Sequence, residues 1–344
     1  MILSYIILIL IVLSKLKIHS KDFNPNYMSH EMTNAIKDIF ILLVFISHAT
    51  PYITESGYDY SGIGDFLFLF INKNVGQWVV AMFLFYSGYG VMESINKKGR
   101  EYLASFPRKR ILCVLANFDV AVLAFFLTNI CLGKYFTPQE YLLSFIGWTS
   151  VGNSNWYIFV ILLCYAQTYI AFALPLTLNN KHKYTILVAL CVVAAILLSF
   201  VKPYHWYDTI LCYAMGMSYS IYQKTFVSFV HRRYVLSVGI LSLILIGLFT
   251  KAYMAGGLSH NIFAMTFCLL VICISMKVSS NNNFLIWCGK NLFALYIYQR
   301  IPMIMLSAVG DGVLACSYPF LFISSCFVTT LLIAHLYKHW SIKL

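Results

Sequence analysis

Three ionisable side chains stand in apolar surroundings. His48 closes the run that begins at Lys37-Asp38 and ends at Ser47-His48. Asp119 lies nine residues after Arg110, and Arg300 ten after Lys290. An imidazole titrates near neutral pH, so His48 could accept and return a proton. A carboxylate such as Asp119 could orient that imidazole or pair with Arg300. A guanidinium could stabilise developing negative charge or bind an anionic substrate. Plainer roles stay open: a packed histidine donating to a carbonyl, or an Asp119–Arg300 pair that only pins helices. Gln299, beside Arg300, could simply face a neighbouring helix. A fourth feature is the stretch Lys97-Lys98-Gly99-Arg100 through Arg108-Lys109-Arg110. It reads either as charge that sets membrane orientation or as a landing site for a polyanion, since Arg makes bidentate phosphate contacts. A nucleotide-containing donor would meet it before its reactive end entered the protein.

The elements that must hold these groups are apolar. Of 344 residues, 60% are hydrophobic and only 10% charged, and mean hydropathy is +0.78. Soluble domains are about 25% charged. Apolar runs near the ~20 residues needed to cross hydrocarbon recur along the chain. They are apolar all round rather than alternating, so helices are expected and a barrel is not. We place spans at about 1–14, 36–53, 76–93, 111–131, 155–175, 184–201, 207–223, 234–250, 260–277, 290–308 and 317–337. The expected fold is therefore all-α, a bundle of about eleven spans. Residues 1–29 would form an extra N-terminal anchor and linker, and 30–344 the main domain. The first run lacks a basic start and a small-residue cleavage site, so it reads as an uncleaved anchor. The ten cysteines are scattered, with no CxxC pair and no zinc-like spacing, and read as small apolar residues.

Charge sets the expected orientation. Of 24 Lys and Arg, 19 fall in one alternate set of loops, and only Lys73, Lys134, Lys202 and Lys251 fall in the other. Arg300 lies inside a span. The richer set, with the C-terminus, belongs in the cytoplasm. The net charge of +12 thus points to membrane orientation rather than to nucleic acid. Eleven residues of helix return to the same face about 16 Å further on, so His48 would sit near the bilayer midplane if Lys37 marks the surface. The same ruler puts Asp119 about 13 Å and Arg300 about 15 Å deep. The largest outer loops, 54–75 and 132–154, carry Glu55, Asp59, Asp65 and Trp148. They could form the mouth for a second substrate.

Together these residues resemble the acyltransferase 3 family of integral membrane acyltransferases. Lys37 and His48 match its basic residue, ten intervening residues and histidine. Phe83-Leu84-Phe85-Tyr86-Ser87-Gly88-Tyr89 is similar to its aromatic Ser-Gly turn at a helix end. Phe106-Pro107-Arg108-Lys109-Arg110 is similar to its basic loop, and Asn155-Trp156-Tyr157 to its Trp at a helix start. Tyr296-Ile297-Tyr298-Gln299-Arg300-Ile301-Pro302 is similar to its Tyr-rich stretch with a following Pro. The resemblance runs from about residue 30 to the C-terminus. Lys37 stands where the family more often has Arg, Asn34 where it has an acidic residue, and Gln299 where many members have His.

The resemblance implies transfer of an acyl group, commonly acetyl, from acyl-CoA to a hydroxyl of a glycan or related envelope molecule at the outer face of the cell membrane. His48 would be the base, or would carry the acyl group itself. Arg300 and Asp119 would assist it. Lys37, Arg108, Lys109 and Arg110 would hold the donor, and Ser87, Trp156 and Gln299 would contact substrate. Acyl-CoA would come and go as a substrate, with no permanently bound cofactor. The rival class is a transporter, flippase or polymerase of lipid-linked saccharides, and a non-catalytic scaffold is a third. Stabilisation by acetyl-CoA would separate the first two.

Overall fold

Ser29 starts the helix that carries His48. Its backbone is extended (φ −62°, ψ 156°) and its hydroxyl accepts from the Met32 N–H at 3.2 Å. Glu31 sits in the first turn, where a negative charge suits the helix dipole. The computed structural model describes residues 1–75, 78–173, 179–255 and 257–344. The start of the run expected at 76–93 and the end of that at 155–175 lie outside these residues. So does the side chain of Lys251.

In chain order the elements are α1 (Leu3–Leu13), β1 (Leu16–Ile18), α2 (His30–Glu55), α3 (Ile63–Val75), α4 (Trp78–Phe106), α5 (Cys113–Cys131), α6 (Pro138–Ser144), α7 (Trp156–Ala173), α8 (Asn180–Ser199), α9 (Leu211–Arg232), α10 (Tyr234–Ala255) and α11 (Gly257–Ser275). They continue with β2 (Val278–Ser280), α12 (Asn283–Lys290), α13 (Leu292–Tyr298), α14 (Arg300–Ala308), α15 (Val313–Ser317) and α16 (Pro319–Leu336).

The chain is a helical bundle, and every expected apolar run falls on helical residues. Length and composition alone do not separate eleven crossings among the described residues, in part because Ile63–Cys131 counts as one stretch although it carries two of the expected runs. Seven stretches are long and apolar enough, or up to eight if the bent pair Tyr204–Arg232 and Tyr234–Phe249, which meet at 104°, counts as one. Helix α1 has 11 residues, about 16 Å, well short of ~30 Å of hydrocarbon. Nor is the chain purely α: β1 and β2 pair antiparallel, with Leu16 opposite Ser280 and Ile18 opposite Val278. This pairing satisfies backbone groups that no helix takes up.

The ends of the elements gather on two faces. The basic face joins β1 to β2, Tyr27 to Tyr219 (2.8 Å between hydroxyls) and the Ile342 carbonyl to the Asn117 amide (2.8 Å). On the opposite face Lys202 donates to the Trp148 carbonyl at 2.7 Å, and Asn261 to that of Tyr207 at 3.1 Å. Each face unites the segments that the charge pattern groups together. The segments expected as long loops are partly helical. Helix α3 lies within 54–75, with Phe68 buried against Tyr5 and Ile63, Phe66 and Phe70 exposed. Helix α6 begins with a capping box between Thr137 and Glu140. The Thr137 N–H holds the Glu140 carboxyl below the usual carboxylate range.

Candidate active site

Helix α2 is unbroken from His30 to Glu55, so the depth ruler from Lys37 to His48 holds. Pro51 has no N–H, and the Ser47 carbonyl loses its usual helical partner beside His48. The His48 Nδ1 lies 3.3 Å from the Ser154 hydroxyl, and the His48 ring 6.3 Å from that of Tyr296 on α13. One turn further along α2, the Tyr52 hydroxyl accepts from Arg300 Nε at 3.2 Å. The guanidinium also lies 5.7 Å from the Tyr52 ring centroid. It is near enough to His48 and Tyr296 to act on both through its charge. Four elements thus converge: α2, α13, the start of α14 and the segment before α7.

Ser154 belongs to an irregular stretch that is held from several sides. The Asn153 carboxamide oxygen accepts from the Val151 N–H at 3.0 Å, and the Ser150 hydroxyl donates to the Asn153 carbonyl at 2.7 Å. Asn129 of α5 donates to the Val151 carbonyl, and Asn155 to that of Gly147, both at 2.8 Å. Gly152 takes φ 103°, and a Cβ there would come within 2.9 Å of Ile304 Cδ1. Asn153 is 1% and Ser154 5% exposed. Irregular backbone is tolerated at membrane depth where protein buries it or a cavity is lined. Above this stretch Lys202 sits 3.8 Å from the Trp148 ring centroid and 4.2 Å from that of Trp206. Burial there lowers its pKa below the usual lysine value.

On the basic side of His48 lies a cavity of about 100 Å³. Its walls include Ile41, Phe83, Val114, Tyr157, Tyr165 and Tyr296. Tyr157 packs edge-on against Tyr296, with centroids 5.4 Å apart. The Tyr165 hydroxyl lies 2.8 Å from that of Ser87. Arg110, one helical turn before Val114, donates through Nε to the Tyr102 hydroxyl at 3.1 Å. It belongs to a turn of π-helix, Pro107–Leu112, a form often found at functional sites. Arg108 and Lys109 on the same turn are exposed. The cavity thus lies between Val114, one turn from Arg110, and Tyr296, beside His48; neither Arg110 nor His48 lines it.

Several expected residues lie elsewhere or differ in form. Asp119 touches neither His48 nor Arg300: its Oδ1 is buried without a hydrogen-bond partner, and no ion pair joins it to Arg300. Tyr52 holds Arg300 instead. The Arg300 ruler also starts later than Lys290. Asn291 (φ −111°, ψ 14°) breaks the helix, leaving eight residues, about 12 Å, from Leu292. Ser87 and Gly88 form no turn at a helix end. They lie inside α4, where Gly88 admits the backbone of Tyr213 on α9. The basic stretch is no open loop either: α4 continues through it, kinked at Gly99 (φ 53°), and Lys97 pairs with Glu93 at 3.3 Å. Trp156 does open α7, but its ring meets His205 at 5.7 Å, and Tyr157 lines the cavity. Gln299 is fully buried, donating to the Tyr296 carbonyl at 3.0 Å, with its Oε1 unpartnered. Lys37 is half-buried and forms no hydrogen bond or ion pair among the described residues.

Ser154, Tyr52 and Tyr157 are members of the constellation that sequence reading passed over. The polar run Gly152-Asn153-Ser154-Asn155 directly before an apolar helix was the available signal, since so many amides at a span boundary need partners.

The chain matches the acyltransferase domain profile over residues 34–337. Searches of the curated proteins and of the solved structures gave no match. The match covers nearly the whole helical bundle, including every residue of the His48 constellation. The chain belongs to the acyltransferase 3 family of membrane acyltransferases.

Proposed function

We propose that this protein moves an acyl group, acetyl in the first instance, from cytoplasmic acyl-CoA to a hydroxyl of an envelope or exported glycan. The observation that supports the reading is the cavity bounded by Val114, Tyr165 and Tyr296, which lies between the turn that carries Arg110 and the ring of His48. In this reading the basic face is cytoplasmic and the protein sits in the cell membrane. Arg108, Lys109 and Arg110 hold the donor's phosphates. The pantetheine arm enters past Val114 and Tyr165 and brings the thioester beneath His48. The about 16 Å of helix between Lys37 and His48 separates the nucleotide from the reacting carbon.

His48 acts as the base. Its Nδ1 faces Ser154, so Nε2 is the nitrogen that takes the acceptor proton, and Nδ1 then donates its hydrogen to the Ser154 oxygen. Arg300, anchored by Tyr52, supplies positive charge where the oxyanion forms. Asp119 has no part in this chemistry. Eleven segments link the two faces, residues 30–344 forming the catalytic domain. The N-terminal segment joins the faces although α1 alone is short: Tyr5 packs on Phe68 of α3, and β1 lies on the basic face.

The test uses purified full-length protein in lipid nanodiscs. Wild-type protein gains thermal stability with acetyl-CoA and releases free thiol from it. His48→Ala keeps the stabilisation and loses turnover by at least about 10²-fold. Arg110→Ala loses the stabilisation. Unchanged turnover in His48→Ala removes His48 from the mechanism, and absence of any acetyl-CoA effect on wild type removes the donor.

A further inference from the structure

Tyr296 occupies a position that the preceding mechanism leaves unused. Its side chain is 5% exposed, and its hydroxyl is buried without a hydrogen-bond partner. Such a group loses its hydration and gets nothing back, which destabilises the folded state. Three other tyrosines of this region are satisfied: Tyr165 by Ser87, Tyr52 by Arg300 and Tyr213 by Thr168. Tyr296 also touches both halves of the site. It lines the cavity on the basic side, and its ring lies 6.3 Å from that of His48. Tyr157 packs edge-on against it and restricts its rotation. Arg300 follows it one helical turn along the chain.

We infer that Tyr296 is a catalytic residue, a neutral oxyanion donor aimed at the thioester carbonyl; the inference rests on the acyl-CoA reading above. In the step it serves, the acceptor oxygen bonds to the carbonyl carbon while its proton passes to His48. The carbonyl π pair moves onto oxygen, and the Tyr296 O–H donates to that oxyanion. On collapse the pair returns, the carbon–sulfur bond breaks, and the departing sulfur takes the proton back from His48. A phenol that has no ground-state partner needs no rearrangement to make this bond, which is the condition for preorganised stabilisation. It places the reacting carbonyl between the cavity wall and His48, with the acceptor arriving from the Ser154 side.

Tyr296→Phe removes only the hydroxyl and keeps the ring packing. The probe is acetyl-CoA with water as acceptor, followed as thiol release by full-length protein in nanodiscs. The expected result is a fall in kcat of about 10²-fold, with KM for acetyl-CoA and thermal stabilisation by acetyl-CoA unchanged. A purely structural role would instead lower the melting temperature of the free protein and weaken acetyl-CoA stabilisation. That outcome, or kcat equal to wild type, overturns the assignment. His48→Ala run in parallel separates the two levels. If it abolishes turnover while Tyr296→Phe is normal, only the oxyanion role of Tyr296 fails. If wild-type protein releases no thiol, the acyl-CoA reading fails and takes this role with it.

Discussion

Arg300 is held by a phenol rather than by a carboxylate, and this changes what its charge is for. An Asp119–Arg300 ion pair would neutralise the guanidinium inside the membrane. Tyr52 fixes its position and leaves its charge unspent. Cations inside an apolar span are costly and tend to mark function. Asp119 lies at a similar distance along its own helix but outside the constellation. Asp119→Asn is therefore expected to retain kcat for thiol release within about threefold, whereas Arg300→Ala loses about 10²-fold or more. A large loss in Asp119→Asn would show that this carboxyl reaches the site in a conformation other than the one described. Residue types and their helical spacing made His48 and Arg300 legible from sequence. Which residues touch them was not, because a depth along a helix says nothing of azimuth. Asp119 failed on that ground, and Ser154 was missed because an irregular segment has no period to read.

At the scale of elements, the Ser-Gly pair on α4 is a packing device. A Cβ at Gly88 would run into the Tyr213 carbonyl of α9, and one at Gly216 into the Phe85 carbonyl of α4. Neither obstacle is a side chain that can turn aside. Small residues at such crossings let two backbones approach, which matters where lipid removes the usual hydrophobic drive. Gly88→Ala and Gly216→Ala should each cost about 1–3 kcal/mol by overpacking, read as a lower melting temperature in detergent. Gly90→Ala, which meets nothing within 4 Å, serves as the control and should not be destabilised. The aromatic Ser-Gly run was visible in the sequence. Its meaning was not, because a glycine at a turn and a glycine at a crossing look alike until the partner helix is placed. Helix α3 was hidden for a different reason: its apolar run, Phe66 to Ile71, is far shorter than the ~20 residues of a span and stands in a segment bounded by turn formers, so it read as loop.

At the scale of the molecule, the alternation of basic loops did the most. The contacts of β1 with β2 and of Lys202 with Trp148 each join segments that it groups on the same face. Its count of eleven exceeds the seven or eight stretches that length and composition pick out among the described residues, where an 11-residue helix falls short, a pair bent by 104° counts once, and Ile63–Cys131 runs two expected spans together. The proposed orientation is open to direct measurement. Cysteines introduced at Ser61 and at Lys97, both exposed, should react differently with a membrane-impermeant maleimide. The first is expected to label in intact cells or spheroplasts and the second only after permeabilisation, read on the peptides that contain them. The reverse pattern would put the basic face outside and take the donor's cytoplasmic entry with it.

The crossing of α4 and α9 has one more consequence, for motion. Two helices whose backbones meet at Gly88 and Gly216 cannot slide or hinge independently without breaking that contact. Phe83, on the cavity wall, rides on the same helix a little over one turn from Gly88, so that wall is tied to the crossing. The opposite walls come from Val114 on α5 and from Leu292 and Phe293 on α13, just beyond the break at Asn291. A rearrangement that widens this cavity is therefore expected on the α5 and α13 side, where Asn291 interrupts the helix.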